Sequence, residues 1–225
     1  MLRDFDCRVG FQPLALCPMS DYRTVQPDEL PLNQGVRLIN ANEDGIVAIE
    51  KPAGALSHPN TPEEVPRAIL RASYDYAGEY FFWEDENGNE CRAWLLNRLD
   101  SPTSGIQLLA LNESINRAVK QLFATHKVVK IYHALVRHVP RTSSGSWSDT
   151  LSKDLVNGKK VIKKGGRVAA KAGYQVIGKP TGGFPIALLR LTPITGRTHQ
   201  LRVQCKKHGH PIVGDRTYGH FGSTR

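Results

Sequence analysis

The sequence predicts a mixed α+β protein, and three observations carry that expectation. Short apolar runs of strand length recur at residues 46–49, 93–96, 106–111, 131–137, 174–177 and 186–191. Helical spacing is confined to short stretches, the clearest at residues 116–126, where Ala118, Val119, Leu122 and Phe123 share a face. Clusters of Gly, Pro, Asn and Ser separate the runs, as turns between strands and helices require. With 225 residues, 40% of them apolar, the chain can bury a sizeable core.

Taken in order, residues 1–38 contain Pro13, Pro18, Pro27 and Pro31 and little periodicity, so they read as an extension that wraps the domain. The rest, 39–225, reads as one domain. Strand 46–49 leads into Lys51, Pro52 and Gly54, a loop whose lysine can reach a phosphate. Residues 65–72 predict a short helix. The aromatic segment Tyr74, Tyr76, Tyr80, Phe81, Phe82 and Trp83 fits half-buried strands or a surface for stacking on bases, and Asn87–Gly88 predicts a hairpin turn.

Between the runs at 93–96 and 106–111 lies a turn cluster holding Arg98, Asp100, Pro102, Thr103 and Gly105. A lone carboxylate held there is suited to chemistry, and equally to closing the turn by an Asx hydrogen bond. Tyr132 shares a strand face with Ala134 and Val136, which fits either a structural or a functional ring. Past residue 191, Gly196, Arg197 and Thr198 form a turn. Thr198 can cap a helix that places His199, Arg202 and Lys206 on one face, and a strand over the same stretch would instead align Leu201, Val203 and Cys205; periodicity does not separate the two. Arg197 is placed to pair with a carboxylate.

Charge divides the chain. Residues 1–113 hold 9 Lys/Arg against 18 Asp/Glu, and residues 114–225 hold 21 against 3, within a net charge of +9. The basic half, densest at Lys159, Lys160, Lys163 and Lys164, predicts a polyanion partner, nucleic acid before membrane. Four scattered cysteines without a C-x-x-C pair predict reduced thiols, and the absence of a signal-peptide profile or spanning run makes cytoplasm the expected location. A zinc site from Cys205, His208 and His210, with or without His199, matches no common ligand spacing, so no metal is expected.

Four blocks in order resemble the RluA-type family of RNA pseudouridine synthases. They are the Lys51, Pro52, Gly54 loop; Arg98, Leu99, Asp100 with Thr103, Ser104, Gly105; the Tyr132 strand; and Gly196 to Arg202 continuing to Gly209, His210, Pro211 and Gly214, Asp215. The resemblance covers residues 39–219. It implies a mostly antiparallel central sheet flanked by helices and loops, with a cleft across the sheet. It also implies isomerisation of specific uridines in ribosomal or transfer RNA, without a cofactor and with no DNA partner, by a monomer. On the family pattern Asp100 attacks the ribose or drives elimination, Arg197 supports its charge and Tyr132 packs on the flipped base. Lys51, Arg98, Thr103, His199, Arg202 and the four basic-segment lysines are expected to contact RNA. The alternative is a catalytically idle RNA-binding protein of the same fold.

The sequence departs from the pattern at Asn97, where the family usually has His, and at Ser101–Pro102. Family members also continue with another strand and helix. Either this sequence is a fragment or its core is closed by something else, such as the N-terminal extension.

Overall fold

The computed structural model describes residues 22–151, 168–180 and 185–219. They belong to two compact units, Met1–Lys120 and Gln121–Arg225. As predicted, the architecture is α+β with antiparallel strand pairing, carried by one six-stranded and one four-stranded sheet.

In the first unit, β1 (Arg37–Ala41), β2 (Ile46–Lys51), β3 (Ser73–Asp75), β4 (Tyr80–Glu84), β5 (Glu90–Leu95) and β6 (Gly105–Ala110) form a sheet in the order β1-β2-β6-β5-β4-β3. Period-2 alternation turns Val47 and Ile49 of β2 and Leu109 of β6 inward, onto a core with Phe81, Ala93, Leu95, Ile69 and Leu70. The described part of the N-terminal extension packs on this sheet: Val25, Leu30 and Val36 are buried, and the Arg23 N–H donates to the Glu90 carbonyl. The predicted turn holds: β4 and β5 are antiparallel neighbours, with Gly88 between them at φ +79°. The aromatics divide, with Phe81 in the core and Tyr76 more than half exposed.

Two expectations need correction here. Residues 65–72 are not an α-helix: a 3-10 turn spans Pro62–Arg67, and Ala68, Ile69 and Leu70 continue as buried non-helical chain. Pro66 cannot donate an N–H and crowds the preceding turn, and a contiguous apolar triplet lacks helical period. The second concerns β1, which begins inside the predicted extension. Its residues are exposed on both faces, so no alternation announces it.

Helix α1 (Glu113–Ala124) starts three residues earlier than its apolar spacing suggests, because the Asn112 side chain accepts from the Ile115 N–H at 2.9 Å. In the second unit, β7 (Tyr132–Arg137), β8 (Ser144–Leu151), β9 (Val168–Gly178) and β10 (Ile186–Pro193) pair in the order β7-β10-β9-β8. Helix α2 (Gln200–Lys207) supplies Cys205 to a core with Ala134, Val136, Trp147, Leu189 and Leu191. Strand β8 is Ser- and Gly-rich, and only Trp147, Asp149 and Leu151 mark its inward face.

Candidate active site

Asp100 lies half-buried on the connection from β5 to β6. The Thr103 N–H donates to the Asp100 carbonyl at 2.9 Å, closing the turn, and Gly105 takes φ +137°, a conformation that disfavours a side chain. The turn is fastened to the loop after β2. The Lys51 ammonium donates to the carbonyls of Ala55 at 2.7 Å and of Pro52 and Ser101 at 3.1 Å. The Gly54 N–H also donates to the Ser101 carbonyl at 2.7 Å. The Ser57 hydroxyl accepts from the Leu99 N–H at 3.0 Å and lies 2.7 Å from the Leu99 carbonyl. Asn97 accepts from the Leu108 N–H at 2.7 Å, so this departure from the family pattern ties the turn to β6. Residues on both sides of Asp100 are therefore pinned, which fixes the backbone that carries its carboxylate.

Lys51 was expected at a phosphate, and its placement corrects that. Its side chain continues the inward register of Val47 and Ile49 and is wholly buried, with its donors directed to carbonyls. Burial pulls its pKa from 10.5 down to about 8, opposed by the negative charge of Asp100. Of the other residues expected at RNA in this unit, Arg98 is exposed and Thr103 half-buried.

The second unit carries Tyr132, Arg197, His199 and Arg202. Tyr132 opens β7 opposite Leu191 and packs half-buried against the core on the face of Ala134 and Val136. Arg197 is exposed, with its Nε donating to the Ala169 carbonyl at 3.1 Å. Its loop is latched by Gln200, whose side-chain oxygen accepts from the Arg197 N–H at 3.0 Å and the Thr195 hydroxyl at 2.7 Å. The cap of α2 is His199 and not the expected Thr198. His199 sits at φ +52° and its Nδ1 lies 2.9 Å from the Tyr218 hydroxyl.

Arg202, also expected at RNA, is buried. Its guanidinium donates to both Asp215 oxygens, at 2.7 and 3.0 Å, and lies over the Tyr218 ring. Its fork is committed to the fold, which corrects its assignment as an RNA contact. Lys159, Lys160, Lys163 and Lys164 lie outside the described residues. Ser57 and Gln200 escape sequence reasoning because a single uncharged polar side chain carries no periodic signal, and Asn97 is visible there only as a departure from the family pattern.

The description "RNA pseudouridylate synthase" belongs to the family whose profile matches residues 45–207. That match spans both units and all four sequence blocks up to α2. The chain belongs to the RluA-type family of RNA pseudouridine synthases. An uncharacterized RNA pseudouridine synthase of Aquifex aeolicus is 30% identical over 221 residues, covering 96% of this chain and 65% of that protein. The dual-specificity RNA pseudouridine synthase RluA of Vibrio cholerae is 34% identical over 178 residues, covering 78% and 66%. The chain thus spans about two thirds of the length of these relatives. Among solved structures, human RNA pseudouridylate synthase domain containing 1 superposes with a TM-score of 0.60 at 25% identity, covering 83% of this chain and 71% of that one. For this member of the RluA-type family, the pinned Asp100 turn and the Gln200-latched Arg197 loop both lie within the matched residues.

Proposed function

We propose that this protein isomerises uridine to pseudouridine in RNA, with Asp100 as the catalytic carboxylate. The reaction breaks the N1–C1′ bond, turns the base and forms a C5–C1′ bond. The proton lost from C5 is balanced by one gained at N1, so no oxidant or reductant is needed. The observation that carries the reading is the pinning of the backbone around Asp100: residue 99 is bonded to Ser57 and residue 101 to Gly54 in the loop after β2, and residue 101 also to Lys51 at the end of that strand. A carboxylate that must meet one carbon of a flipped nucleotide gains most from such preorganisation.

Asp100 attacks C1′ or drives elimination to a glycal. Arg197 supports its charge, and Tyr132 stacks on the base and assists proton removal from C5. Relatives named as acting on transfer RNA and on the large ribosomal subunit support one of these RNAs as the substrate. The basic half supplies counter-charge for the RNA backbone. We assign the protein to the cytoplasm as a monomer. Among the described residues, no helix is long and apolar enough to cross a membrane.

The test is tritium release from 5-tritiated uridine in unmodified ribosomal and transfer RNA. Asp100→Asn is expected to abolish release while retaining RNA affinity. Turnover by that variant would refute the assignment of the carboxylate, and a wild-type protein that binds RNA without release would mark an idle RNA-binding member.

A further inference from the structure

The second unit carries a recess of about 380 Å³, within the size range of small-ligand sites, that the catalytic assignment does not use. Its lining includes Arg141 and Thr142 from the β7–β8 connection, Trp147 of β8, Tyr174 of β9, and His208 and His210 beyond α2. Four of these side chains are rings in near-parallel planes. Relative to Trp147, Tyr174 is tilted 25° with centroids 4.8 Å apart, His208 6° at 4.9 Å and His210 16° at 6.5 Å.

Each of the three outer rings is held by a polar atom. Tyr174 lies over Gly145, where a Cβ would come within 2.8 Å of the ring, and its hydroxyl is 2.6 Å from that of Thr142. His208 Nε2 donates to Asp149 at 2.9 Å. His210 Nδ1 donates to the His138 carbonyl at 2.8 Å.

Charge favours an anion at the rim. Arg141 is exposed, and Asp149 is buried and already bonded to Lys207, Gln204 and His208. Parallel rings beside a guanidinium are the means by which unpaired nucleotides are held without reading their sequence: the base stacks and the phosphate pairs. Because these rings are fixed before binding, little side-chain freedom remains to be lost.

We propose that this recess is a second RNA contact, binding one unpaired nucleotide with its base against the ring wall and its phosphate on Arg141. It rests on the reading that RNA is the substrate. It adds affinity for the RNA and takes no part in the isomerisation.

The test uses the full chain, wild type and Arg141→Gln, with unmodified transfer and ribosomal RNA transcripts. Equilibrium RNA affinity is measured as a function of salt, and pseudouridine formation as KM and kcat. Arg141→Gln is expected to weaken RNA binding five- to tenfold, lower the salt slope by about one, and raise KM with kcat retained. Tyr174→Leu removes the stacking ring without touching the charge and is expected to weaken affinity while leaving the salt slope intact. Wild-type affinity and slope in Arg141→Gln would overturn the proposal. Absence of pseudouridine formation by the wild type would refute the catalytic reading, and the affinity measurement would still decide the recess.

Discussion

Replacing Lys51 by methionine separates a structural lysine from an RNA-binding one. The wild-type ammonium makes three carbonyl bonds in a fully buried position. The substitution removes the ammonium's bonds to three carbonyls and also relieves the desolvation that pulls the Lys51 pKa down, so the expected loss in Lys51→Met is about 3 kcal/mol. At about 2–4 °C per kcal/mol for a chain of this size, about 3 kcal/mol lowers Tm by about 6–12 °C. The pH dependence has a definite sign. Between about pH 8 and 10.5 the unfolded chain binds this proton and the folded chain does not, so wild-type stability gains with rising pH. The variant lacks that gain, and the gap between them widens across the window. Thermal and urea unfolding followed by circular dichroism at pH 7 and above measure both effects. A variant as stable as wild type, with weaker RNA binding and a smaller salt slope, would refute the clamp and restore Lys51 as a phosphate contact.

Arg202→Gln is expected to destabilise by about 3–5 kcal/mol, read from the urea midpoint, because it strips Asp215 of its buried counter-charge. Acid should loosen the second unit between about pH 4 and pH 2. Burial pushes Asp149 and Asp215 up, but the bonds from Lys207, Gln204 and His208 to the first, and from Arg202 and the Tyr218 and Thr217 N–H groups to the second, hold both near 2. Their contribution is present above the ordinary carboxylate value and is lost as pH falls through the folded one, so an acid titration of circular dichroism should show a Trp147 signal change in that window.

Much of the first unit was legible because its signals are local. The Asp100 turn stood out as a lone acid between two apolar runs, and both runs are strands. In the second unit, the period of Ile131 to Arg137 likewise gives the face that Tyr132 shares with Ala134 and Val136. Lys51 was also legible in principle: in Ile46 to Lys51 it falls at the same parity as Val47 and Ile49. The Pro and Gly that follow it mark a loop, and that signal competes with the strand register. Arg202 could not be read in the same way. Its partner Asp215 lies thirteen residues on, across the end of α2, and nothing in the intervening sequence states that the two meet. Strand β8 failed for a different reason, since its ladder bonds do not depend on the small polar residues that fill its outer face.

The fastening of the Asp100 turn has a consequence for the order of folding. Lys51 and Ser101 are fifty residues apart, and β2 sits beside β6 with β3, β4 and β5 all inserted between them in the chain. Closing a loop of that length before any reward is collected is slow relative to forming the β4–β5 hairpin. During synthesis, the strand that completes the sheet beside β2 emerges only after Asp100 itself. A nascent chain halted between them carries the carboxylate but lacks the partner strand that sets its register.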